Sequence, residues 1–165
     1  MIRMKWVVAA VVAAALGLAS APSRADDPSQ LAVGLGAFDF DHKQPAGELR
    51  AEYRFAQGYY FIKPVIGAFG TSRSSVYAYG GLRADIVLYD HYVIMPVAAV
   101  GYYDKGNGKD LGSHLEFKTG VELAYRFDNA MRLGLAFDHI SNAGITKRNP
   151  GTENLLVMYS LPLGW

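Results

Sequence analysis

The feature that most restricts this chain is a period-two alternation running from residue 113 to residue 127. Leu115, Phe117, Thr119, Val121, Leu123, Tyr125 and Phe127 fall on one face, and His114, Glu116, Lys118, Gly120, Glu122, Ala124 and Arg126 on the other. Successive side chains of a strand leave opposite faces, so the stretch reads as one strand with an apolar side and a charged side. It is longer than the usual soluble strand of about 5–6 residues and suits a tilted membrane strand of about 9–11. Soluble half-buried strands alternate as well, so the other segments have to decide.

They repeat the pattern. Leu49, Ala51, Tyr53 and Phe55 oppose Glu48, Arg50, Glu52 and Arg54, and Val76, Ala78, Leu82, Ala84, Ile86 and Leu88 oppose Tyr77, Tyr79, Arg83 and Asp85. Charges of both signs share the polar faces and can pair inside a small closed barrel, while the apolar faces are continuous enough to meet lipid. Alternation and Gly, Asn and Asp breaks delimit eight strands at 31–40, 48–56, 59–70, 75–88, 91–103, 113–127, 130–142 and 153–165. Val157, Tyr159, Leu161, Leu163 and Trp165 alternate down to an aromatic last residue. Against the pattern stand Gly34, Gly36, Gly67 and Pro96, and Pro64 is awkward in a sheet without edges. The expected fold is all-β, an eight-stranded antiparallel transmembrane β-barrel.

The N-terminus agrees with export. Arg3 and Lys5 precede an apolar run from Trp6 to Ala19, and Ser23-Arg24-Ala25 forms a small-x-small cleavage site. Residues 1–25 therefore read as a cleaved signal peptide, and 26–165 as a single barrel domain. Of 16 Lys and Arg, removal of Arg3, Lys5 and Arg24 leaves 13 against 15 acidic residues, a formal charge of −2. That balance gives no electrostatic case for nucleic acid. Cysteine is absent, which rules out disulfides and thiolate metal sites, and His42, His91, His114 and His139 lack ligand spacing. His42, His91 and His114 read as structural or surface residues.

Strand counting orients the barrel. With a periplasmic N-terminus, the outer loops fall at 41–47, 71–74, 104–112 and 143–152. The inner turns fall near Gln57-Gly58, Tyr89-Asp90 and Asp128-Asn129 and are expected to be shorter. The outer loops carry Lys43, Arg73, Lys105, Lys109, Lys147 and Arg148 against Asp41, Asp104 and Asp110, whereas the periplasmic side carries Asp26, Asp27, Asp90 and Asp128. A cationic outer rim suits a leaflet of phosphorylated lipid.

Parity then isolates three polar residues. Met131, Leu133, Leu135, Phe137, His139 and Ser141 share the apolar face of the seventh strand. Glu153 begins the apolar row of the eighth, twelve residues past Ser141 and beyond a Gly/Asn/Pro-rich loop. Cross-strand neighbours on one face lie within side-chain reach, so base, hydroxyl and carboxylate meet at the rim. Serine becomes a nucleophile when histidine takes its proton and a carboxylate orients that histidine. Two readings stay open on spacing alone: a hydrolase facing the lipid, or polar residues that mark the end of the apolar band. Asp138 has interior parity and is expected to pair with Arg132 or Arg126.

The segment His139-x-Ser141-Asn142-Ala143-Gly144 followed by Asn149-Pro150-Gly151-x-Glu153 resembles the lipid A 3-O-deacylases of the PagL family. The close match covers about the last thirty residues, and length, signal peptide and strand pattern extend it more loosely. The resemblance implies an outer-membrane serine esterase of Gram-negative bacteria with His139, Ser141 and Glu153 as its triad. It also implies an oxyanion hole from the Asn142 side chain and the Gly144 backbone N–H. Lipid A within lipopolysaccharide is the implied substrate, no cofactor or metal is required, and Lys147 and Arg148 are candidates for its phosphates. A dimer interface or packed lipopolysaccharide could cover a site on the barrel exterior, so a homodimer stays open. Competing classes are an outer-membrane phospholipase, a soluble secreted esterase, and a non-catalytic barrel acting as an adhesin or binding protein.

Overall fold

The computed structural model describes residues 27–41 and 45–164; the expected signal peptide, His42, Lys43 and Trp165 lie outside them. Nine strand segments follow one another: β1 (Gln30–Phe38), β2 (Ala46–Arg54), β3 (Ile62–Thr71), β4 (Val76–Ala84), β5 (Ile86–Leu88), β6 (Tyr92–Asp104), β7 (Leu115–Arg126), β8 (Arg132–Ser141) and β9 (Thr152–Pro162). Every pairing is antiparallel between neighbours, and β1 also pairs with β9, from Gln30↔Pro162 to Phe38↔Asn154, which closes the sheet. The result is a closed eight-stranded barrel in which β4 and β5 together form one wall strand, both paired with β6.

That division corrects the continuous 75–88 strand expected from alternation. The β4–β6 ladder ends at Arg83↔Val97 and resumes in β5–β6 at Ile86↔Ile94. Pro96 lies inside the gap. A proline has no N–H for the ladder, so the wall strand breaks where it must face one. Pro64 is accommodated at the other end of a ladder: β2–β3 pairing stops at Arg54↔Val65, and the Pro64 carbonyl accepts from Phe55 N–H at 3.2 Å. The expectation of uniformly shorter inner turns is also corrected. Residues 55–61 form a longer connection with its own Tyr59↔Ile62 bridge, whereas 72–75 on the opposite end is brief. Tyr89 and Asp90 do make a tight turn, both at positive φ (50° and 64°).

The two faces separate as the alternation requires. Outward lie Leu31, Val33, Leu35, Leu49, Ile66, Leu82, Leu123, Leu135 and Val157, with exposures reaching 68% at Leu35. An apolar exterior of that extent is stable only against hydrocarbon. Inside, Phe38, Phe69, Tyr77, Tyr79, Tyr103 and Ile140 fill the long-loop end and are capped by Leu111 from the 105–114 loop. Charges occupy the middle and the short-turn end. Arg54 bridges Glu52 and Glu122 at 2.7 and 2.5 Å, and Lys118 contacts Glu52 at 3.2 Å. Asp138 is interior as its parity demands, but its partners are Arg50 and Lys118 rather than Arg132 or Arg126; those two arginines hold Asp27 at 2.6 Å each.

Candidate active site

The β8–β9 register sets the geometry. His139 stands directly opposite Glu153, and its Nδ1 lies 2.9 Å from Glu153 Oε1. A carboxylate accepts, so Nδ1 carries the proton in this contact and Nε2 is left to act as a base. The pair sits on the lipid-side row yet is largely covered, with side-chain exposures of 27% and 15%. On the other flank of His139 is Thr119 of β7. Ser141 follows two residues along the same row, half-buried, with Phe117 as its β7 neighbour. Among the described residues the Ser141 hydroxyl makes no hydrogen bond to His139. Contacts between nucleophile and base often tighten only when substrate is bound.

The loop from 142 to 151 is pinned from within. Asn142 is fully buried because the residue after Ser141 turns to the opposite face of the strand. Its Nδ2 lies within donating distance of Leu111 O (3.1 Å), Thr146 Oγ1 (3.0 Å) and Arg148 O (2.8 Å), and its Oδ1 accepts from Gly144 N–H at 3.0 Å. The Asn142 N–H in turn donates to Asn149 Oδ1 at 3.0 Å. The two residues expected as oxyanion donors are thus brought together, but bonded to each other. Ala143 and Gly144 both take positive φ, 54° and 82°, which turns the chain sharply off the strand.

Lys147 and Arg148 are exposed on this loop. Arg148 donates to Asp110 Oδ2 at 2.9 Å, and Lys105 lies 3.5 Å from the same carboxylate. The Gly112 N–H first, then Arg148 and Lys105, hold the Asp110 carboxyl below its ordinary value. Neighbouring ties were not legible in the sequence. Asp39 accepts from Lys109 Nζ at 2.5 Å and from Thr152 Oγ1 at 3.2 Å, so residues beside Glu153 are anchored to two other loops. Phe40 N–H donates to Glu153 O at 3.2 Å, and its ring meets Phe137 edge-on at 6.2 Å. Nothing in the pattern of either segment marks these partners, because each pair is separated by dozens of residues.

Fold and site together define a transmembrane-type β-barrel in which one outward row places His139 against Glu153 with Ser141 two residues on. The chain belongs to the lipid A 3-O-deacylase (PagL) family, whose model matches residues 49–162. The lipid A deacylase PagL of Pseudomonas aeruginosa is 33% identical over 55 residues. That match spans 33% of this chain and 32% of the relative's length. A crystal structure of the outer-membrane enzyme PagL superposes with a TM-score of 0.63 at 17% identity, covering 81% of this chain and 99% of that one. A de novo designed transmembrane β-barrel gives 0.56 at 12% identity, over 84% and 98%. At such identities the likeness concerns the fold.

Proposed function

We propose that this protein is an outer-membrane lipid A 3-O-deacylase, working on lipopolysaccharide from the lipid side of the barrel near the long-loop end, which faces the outer leaflet. The observation that carries the reading is the cross-strand His139–Glu153 contact at 2.9 Å, on the same outward row as Ser141. A polar trio on a lipid-facing row is costly unless it lies at headgroup depth or has a task. An ester joining sugar and acyl chain lies at that depth, with the chain running along the Phe137, Leu155 and Leu135 surface.

Ser141 Oγ attacks the ester carbonyl at the 3-position while His139 Nε2 takes its proton, and Glu153 stabilises the imidazolium. The tetrahedral intermediate collapses as His139 returns the proton to the departing sugar oxygen. Water, activated by His139, then cleaves the acyl-serine and releases the 3-hydroxy fatty acid. The oxyanion takes the Gly144 N–H in exchange for Asn142 Oδ1, while Asn142 keeps the loop in place. Lys147 and Arg148 face the lipid A phosphates, the latter by exchanging Asp110 for phosphate.

The test is mass spectrometry of lipid A from cells expressing wild type, Ser141→Ala and His139→Asn, each confirmed as folded in the outer membrane. Loss of one 3-hydroxyacyl group with wild type alone is expected. Intact lipid A in all three, with the wild type also inactive after detergent extraction, overturns the assignment and favours phospholipid esters or a non-catalytic barrel.

A further inference from the structure

Two glycines of the 142–151 loop have similar backbones and opposite surroundings. Gly144 has φ +82° and open space where a Cβ would stand. Gly151 has φ +66°, is buried, and a Cβ there would lie 2.9 Å from His139 Cε1 and 3.5 Å from His139 Nε2. The first is explained by the turn alone. The second is also a steric fit to the imidazole.

That fit matters because of which edge is touched. Cε1 lies between the two ring nitrogens; Nδ1 is already held by Glu153 at 2.9 Å. The backbone at 151 therefore closes the ring edge next to the nitrogen that has to receive the serine proton. Neither neighbour lets the chain retreat. Pro150 fixes its own φ, and Thr152 is already paired with Ile140 in the β8–β9 ladder, with its hydroxyl on Asp39. A methyl at 151 would consequently displace the imidazole rather than the loop.

We propose that Gly151 is a positioning residue: the missing side chain leaves a slot that, with Glu153, fixes the His139 ring so that Nε2 is presented to Ser141. The proposal rests on the deacylase reading for its catalytic consequence, but the contact itself is testable without it. Gly151→Ala is expected to lower kcat for lipid A deacylation by about 10²-fold, the cost of a misplacement near 1 Å, with KM little changed. Gly164→Ala, which adds the same kind of backbone strain at φ +85° in open space past the far end of β9, is expected to keep wild-type kcat.

A stability cycle supplies the second readout, using the full-length protein refolded in detergent and its urea midpoint. Gly151→Ala is expected to lower the midpoint less in a His139→Ala background, where the methyl meets no ring. Should Gly151→Ala alone not fold, recovery of the folded, heat-modifiable band in the double variant supports the contact, and failure of both variants overturns it. Wild-type kcat in Gly151→Ala, or an equal midpoint loss with and without the ring, also overturns the proposal. Intact lipid A with wild-type protein, in cells and after detergent extraction alike, would instead sink the deacylase reading, while the stability cycle would still decide the contact.

Discussion

At the scale of single residues, the proposed site divides into groups assigned to act and groups that hold. Glu153 is proposed for the first, because its carboxylate meets His139 from the directly opposite position in the ladder. Glu153→Ala should leave the barrel folded and lower kcat by about 10³–10⁴-fold, measured with lipid A in detergent and with KM near wild type. Asn142 holds. Its amide serves the carbonyls of Leu111 and Arg148 and the Gly144 N–H, all at once. Asn142→Ala leaves Leu111 O and the Gly144 N–H without this partner, while Arg148 O keeps Thr146 Oγ1 at 2.8 Å, and should cost about 2 kcal/mol of stability, read as a shift of the urea midpoint. That His139, Ser141 and Glu153 share one outward row was legible in the sequence, because parity along two strands and a short intervening loop bring them together. The holding side of Asn142 was legible only in part: parity already turns it inward, but its partners come from the 105–114 loop, which local pattern cannot connect to it.

At the scale of elements, the 142–151 loop is one half of a two-loop clasp. Thr146 Oγ1 reaches Gly112 O at 3.1 Å, Arg148 reaches Asp110 at 2.9 Å, and a Cβ at Gly112 would collide with Arg148 O. The Asp110 carboxyl is held below its ordinary value, so its contribution to the clasp is present above the unfolded carboxylate pKa and is lost as pH falls through the lowered value. Hydrogen exchange of residues 142–151 should therefore be unchanged from pH 7 to pH 5 after correction for intrinsic rates, and should rise below the ordinary carboxylate range. Asp110→Asn should show the faster exchange already at pH 7. Because this pair is exposed, salt should imitate the substitution in part. Strand positions were read to within a few residues from alternation, since one face must meet lipid and the other the interior. The Asp85 break was not, because its cause lies across the ladder in Pro96.

At the scale of the whole molecule, the barrel places its ionic network in the interior and the proposed chemistry on the exterior, and the two requirements meet in adjacent residues of β8. Asp138 points in to Arg50 and Lys118, and His139 points out to Glu153. A one-residue slip would exchange them, leaving a carboxylate in lipid and an imidazole among cations, so the interior network also fixes the register of the site. Asp138→Ala tests this link. It leaves Arg50 with Glu48 at 2.6 Å and Lys118 with Glu52 at 3.2 Å but removes the shared counter-charge between them. Removing one member of a buried ion pair costs about 3–5 kcal/mol, whereas replacing a whole network by apolar groups need not. The variant should thus unfold at lower urea while its folded fraction keeps the His139–Glu153 contact and near-normal kcat per folded molecule. A loss of kcat in proportion to the folded band would agree with that division between scaffold and site. A loss in the folded fraction itself would mean that the interior charges act on the catalytic row directly.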